Sequence, residues 1–128
     1  MKEFKLSITH IKILETIDTL NKKSYYPLAE GVYKIITGII DEETLPFINE
    51  PTFGTLISFS SKKTCRYILA LRRHGYIKKI YDQRSDNLYL VSTMLGRDAV
   101  AEFHKKHKKP FDKKKKQVKQ TIVKMYIK

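Results

Sequence analysis

The chain has 128 residues, 41% of them hydrophobic, and a formal net charge of +13, which bounds it to one domain or one domain plus a tail. No run of about 18 apolar residues occurs, which argues against a membrane-spanning helix, and no signal-peptide pattern follows Lys2, Glu3 and Lys5. The single cysteine, Cys65, rules out an internal disulfide and a multi-cysteine zinc site, so a cytoplasmic location is expected.

The first helix is predicted from Ile8 to Lys23, with Ser7 or Thr9 as cap and Ile8, Ile11, Ile13, Leu14, Ile17 and Leu20 as its apolar stripe. Pro27 opens a second helix whose buried face is Val32, Ile35, Ile36, Ile39 and Ile40, with Gly38 near its end. Asp41, Glu42 and Glu43 suit the first turn of a short helix reaching Phe47. Pro46, Pro51 and Gly54 then break the chain into loop. Ser60 and Ser61 suit the cap of a basic helix over Lys62–His74, with Cys65, Ile68, Leu69 and Leu71 as the apolar positions and Gly75 as the stop. Tyr76–Tyr81 and Leu88–Val91 read as strands around a polar turn over 82–87. Ser92 or Thr93 caps a last helix from Met94 to His107, its apolar side Met94, Leu95, Ala99, Val100 and Phe103. Helix, glycine turn, hairpin and helix in that order predict an α+β, mainly α, winged helix: a helix-turn-helix core with a β-hairpin wing. The domain is expected to span residues 1–109. Residues 110–128 form a lysine-rich tail with Val118, Ile122, Met125 and Tyr126 at helical spacing, suited to a further polyanion contact or to a plain solvated extension.

The charge is unevenly spread along these elements. Residues 1–59 hold six basic and eight acidic side chains, residues 60–97 nine basic and two acidic, and residues 104–128 eleven lysines against Asp112. Such asymmetry favours a polyanion partner, chiefly DNA or RNA, over an effect on solubility alone. On the basic helix Lys62, Arg66 and Arg73 share one side, Lys63 lies off the apolar stripe, and the backbone amides near Ser60, Ser61 and Lys62 add a helix N-terminus. Lys78, Lys79 and Arg84 put charge on the hairpin. Arg72 suits stem packing or a carboxylate pair and stays outside this set. Few groups here suit reading of base edges, so binding through phosphates is expected. Tyr81 and Tyr89 flank the turn. Either they form a cross-strand aromatic pair, or Tyr81 stacks on a terminal base pair at a strand junction.

Other chemistries find little support. His10, His74, His104 and His107 lack the cysteines or carboxylates of a metal set, and read as surface residues. Glu42 and Glu43 are adjacent and point to different sides, which makes a poor acid/base pair. No glycine-rich phosphate loop ends in Lys-Ser/Thr, which excludes ATP hydrolysis by that route. Cys65 reads as a packing residue. No enzyme activity, metal or cofactor is expected.

Four blocks together resemble a known family. Gly31-Val32-Tyr33-Lys34-Ile35-Ile36-Thr37-Gly38, Phe53-Gly54, Leu71-Arg72-Arg73-His74-Gly75-Tyr76-Ile77 and Leu88-Tyr89-Leu90-Val91-Ser92-Thr93 are similar, with their spacings, to the RQC domain of RecQ-family DNA helicases. The resemblance covers roughly residues 8–103. It implies binding of duplex, forked or junction DNA, with the wing at the boundary between single and double strand. It also implies a role in DNA repair or recombination beside a helicase motor protein. Carried over, the helix start offers Ser60, Ser61, Lys62 and Lys63, and the wing Tyr81 and Arg84. Helicase motor motifs and the four-cysteine zinc module are absent from this sequence, and Thr37 stands where the family has a basic residue. The rival expectation is a dimeric winged-helix transcription regulator on a palindromic site. An interaction domain docking RNA or an acidic protein is the third.

Overall fold

A computed structural model describes residues 4–106, so the boundary at 109, the lysine-rich tail and His107 lie outside the described residues. Ser7 has the extended backbone of a cap and starts helix α1 (Ile8–Lys22). Its hydroxyl accepts from the His10 amide at 3.2 Å, while the His10 ring Nδ1 accepts from the Ser7 amide at 3.1 Å. This reciprocal box usually closes with Glu or Gln; here a histidine does it. Helix α2 (Ala29–Thr37) begins two residues later than Pro27 suggests. The reason is tertiary: Pro27 is buried and its carbonyl accepts from the Leu90 amide at 2.8 Å, which keeps the chain extended until Leu28.

Beyond α2 the chain makes a 3-10 turn at Leu45–Phe47 and a long loop. That loop is sewn to the end of α2 by the Gly54 amide on the Ile35 carbonyl and the Leu56 amide on the Ile36 carbonyl. Gly38 and Gly54 both have positive φ and lie against each other, where a Cβ on Gly38 would come within 3.4 Å of the Gly54 Cα. Helix α3 (Ser61–Arg73) ends in a Schellman arrangement: the Tyr76 amide donates to the Leu71 carbonyl and the Gly75 amide to that of Arg72. Gly75 has φ +83°, a conformation that glycine adopts without strain. It delivers the chain into strand β1 (Ile77–Asp82), antiparallel to strand β2 (Asn87–Ser92). Thr93 accepts from the Gly96 amide at the start of helix α4 (Met94–Lys106). Four α-helices and one two-stranded hairpin make the described residues an α+β unit.

The core joins Ile13, Leu14 and Ile17 of α1 to Val32 and Ile36, Ile68 and Leu71, Ile77 and Leu90, and Val100. Each such side chain, fully buried, stabilises the fold by about 1.5–3 kcal/mol. A second cluster of Leu20, Ile35, Phe47, Ile48 and Phe53 holds the long loop. The hairpin is fixed to α1 at its base. The Asn21 carboxamide accepts from the Ser92 amide at 2.8 Å and donates to the Leu90 carbonyl, and the Ser92 hydroxyl donates to buried Asp18 at 2.9 Å. His104 of α4 meets the buried carboxylate of Glu15 on α1. Burial there pushes Glu15 above the usual carboxylate range against the pull of His104.

Several expected core positions are on the surface. Ile8, Ile39, Met94 and Leu95 are exposed, because each lies at an element end or beyond it, where no neighbouring element covers it. On α3 the buried line is Thr64, Ile68 and Leu71; Cys65 and Leu69 are exposed. Thr64 fits inside because its hydroxyl donates to the Ser60 carbonyl at 3.0 Å, which satisfies it within the first turn. His10 and His104 are likewise not plain surface residues, since each holds a polar partner on or against α1.

Candidate nucleic-acid interface

Helix α3 supplies most of the candidate site. Ser60 is its cap, its hydroxyl accepting from the Lys63 amide at 3.0 Å, and exposed Ser61 is the first helical residue. The amides of Ser61 and Lys62 precede the first helical acceptor and face the positive end of the helix dipole outward. Lys62, Arg66 and Arg73 lie opposite the buried line of Thr64, Ile68 and Leu71, and all three are exposed. Lys63 leans aside: its Nζ sits 4.4 Å above the Phe59 ring, which orients it without neutralising it. Among the described residues no carboxylate forms an ion pair with Lys62, Lys63, Arg66, Arg72 or Arg73.

The hairpin divides the remaining candidates. In a pleated pair successive side chains face opposite ways, and Ile77 and Leu90 point into the core. Lys79 is directly opposite Leu90, so it shares that inner face and meets α3. Lys78, opposite Val91, faces the other way and does not join the α3 ridge. Both lysines lie on the hairpin, and the two-residue period of the strand sends them to opposite faces.

The two tyrosines are not a cross-strand pair. Tyr81 is opposite Leu88 and Tyr89 opposite Ile80, so they occupy different faces. The exposed Tyr81 hydroxyl donates to Asp86 at 2.6 Å, and that carboxylate raises the phenol above its usual range. The Tyr89 hydroxyl lies 3.0 Å from the Ser85 hydroxyl and stiffens the tip. Asp82 accepts from the Arg84 amide and the Ser85 hydroxyl and shapes the turn. Arg84 is exposed at the tip, but it stands there with two carboxylates, Asp82 and Asp86. Positive charge is therefore concentrated on α3 and its junction with β1, and the tip is locally acidic.

Arg72 is the residue that sequence reasoning passes over. It is exposed and lines a depression of about 70 Å³ with Ala29, Cys65, Ile68, Leu69 and Lys79. Its signal in the sequence is its spacing of three and seven from Leu69 and Cys65, which puts all three on one flank of the helix.

Among the described residues no group of three or more His, Cys, Asp or Glu side chains is arranged to hold a metal ion, and no helix is long and apolar enough to cross a membrane. The arrangement offers cations and amides on one helix. No family model, no curated protein and no solved structure matches the chain.

Proposed function

We propose that the chain is an RQC-like winged-helix module that binds duplex or branched DNA through its phosphates. The observation that carries this reading is the outward face of α3. Its exposed Lys62, Arg66 and Arg73, with Lys63 beside them, have no carboxylate ion pair among the described residues. Cations that the fold does not neutralise are free to displace counterions from a polyanion. Five or six such contacts lower affinity by roughly 10³-fold between 50 and 200 mM salt.

In this reading Ser60, Ser61 and Lys62 bring backbone amides and charge to one phosphate group, and Arg66 and Arg73 continue along the strand. The hairpin stands beside α3 with its base held by α1, so its tip is presented at a fixed place. Tyr81 and Arg84 then meet the end of the duplex at a junction, while Asp82 and Asp86 keep continuous backbone away from the tip. The module does no chemistry of its own and takes no cofactor or metal; strand separation belongs to a helicase motor protein that it accompanies.

A panel of blunt, forked and junction duplexes, with single strands and RNA as controls, tests the reading at two salt concentrations. Duplex binding that weakens steeply with salt and favours forks is expected, with Tyr81→Ala losing most of the fork preference and Tyr81→Phe retaining it. Stronger binding to RNA than to any DNA would replace the reading. A dimer in sedimentation with one preferred palindrome would make the chain a transcription regulator instead.

A further inference from the structure

The flank of α3 that faces β1 holds a feature the outward ridge does not explain. Cys65, Leu69 and Arg72 follow one another at helical spacing along it, and the Gly75 turn folds Lys79 back against them. Ile68 and Ala29, the first residue of α2, complete a depression of about 70 Å³. Cys65, Leu69, Arg72 and Lys79 on its rim are all exposed. Neither Arg72 nor Lys79 forms an ion pair with a carboxylate among the described residues. Two long cations thus converge from different elements on a small apolar floor.

Size and charge narrow the occupant. Cofactor-sized ligands need clefts of about 300–1,000 Å³, so this depression takes a group of a few heavy atoms. Arginine presents a planar fork that matches two phosphate oxygens, and lysine adds a point charge from the other wall. The depression also continues the ridge, because Leu69 lies three residues after Arg66 and four before Arg73 on the same helix. A strand crossing the ridge would bring its next phosphate here.

We infer that the seam between α3 and β1 seats one phosphodiester of the bound strand, held by Arg72 and Lys79 with the adjoining sugar on Leu69 and Cys65. This rests on the DNA-binding reading above and adds a contact to it. Cys65 is the only cysteine of the chain and is exposed, so its thiol reports directly on the seam.

The test measures the rate of N-ethylmaleimide labelling of the full chain with and without a saturating blunt duplex. Labelling should slow about tenfold in the complex. The double variant Arg72→Gln, Lys79→Gln should still bind, with the slope of log affinity against log salt shallower by about 0.9, one phosphate. A duplex that shifts the protein on a gel but leaves both the Cys65 rate and that slope unchanged overturns the seam and leaves the DNA reading standing. No shift with any duplex, or protection of Cys65 by a poly-glutamate peptide alone, overturns both.

Discussion

Helices α2 and α3 both display lysines at the surface, yet they handle them in opposite ways. Lys34 of α2 lies 2.9 Å from Asp41 and 3.1 Å from Glu43, and the Tyr25 hydroxyl donates to the same Glu43 at 2.7 Å. These carboxylates hold Lys34 above the usual lysine range, and Lys34 in turn holds Asp41 below the usual carboxylate range. On α3 the fold supplies no such anion among the described residues. A cation spent on its own fold cannot release counterions from a partner; an unspent one can. The difference matters more than the total of +13, because a formal charge counts both kinds alike.

The largest expected effect tests that contrast directly. Replacing Lys62, Lys63 and Arg66 with Ala should weaken duplex binding roughly a hundredfold at ~0.1 M salt and flatten the salt slope by about 2.7. Lys34→Ala should leave both within about twofold. Equal losses from the two changes, read by fluorescence anisotropy, would end the distinction between paired and unpaired cations.

A smaller effect concerns the hairpin tip, which is intermediate between the helices. Asp82→Asn with Asp86→Asn removes the tip carboxylates and should raise duplex affinity about fivefold, by letting backbone phosphates approach Arg84. Unchanged affinity with an intact fold, checked by circular dichroism, would place the tip beyond the reach of the duplex.

The smallest effect is on stability. Asp41 has a folded value below its ordinary 3.8, so its stabilising contribution is present above that pH and is lost as pH falls through the lower folded value. Asp41→Asn should therefore melt below wild type at neutral pH, and the gap should close in acid. A gap that persists undiminished at the acid end would mean that the ionised form of Asp41, which Lys34 and the Thr44 amide both favour, is not what stabilises the fold.

Local signals in the sequence were reliable where one element decides its own shape. Ser60 caps α3, Gly75 terminates it, and Thr93 opens α4, because caps and left-handed turns depend on a few neighbouring residues. The strand bounds were close as well: β1 runs one residue further along than Tyr76–Tyr81, and β2 is one residue longer at each end than Leu88–Val91. Apolar identity was a poorer guide. Cys65 and Leu69 look like core and are exposed, whereas Thr64 is buried, since which stripe of a helix is covered depends on where its neighbours pack.

The candidate site was legible in part for the same reason. Lys62, Arg66 and Arg73 share a face by helical periodicity alone, and that needs no knowledge of the rest of the molecule. Lys78 and Lys79 are neighbours in the chain, but the pleat sends them to opposite faces, and only the pairing of Lys79 with buried Leu90 says which one meets α3. Arg72 likewise becomes part of a site only once β1 folds back along the helix.

By itself, then, the amino-acid order determined the elements, their caps and the concentration of charge between residues 60 and 97, because backbone hydrogen bonding and side-chain period act over a few residues. Tertiary structure decided which cations lack an internal anion and which converge across elements. Those outcomes depend on how one element folds back on the next: Lys34 meets Asp41 only past the end of α2, and Arg72 nears Lys79 only across the Gly75 turn.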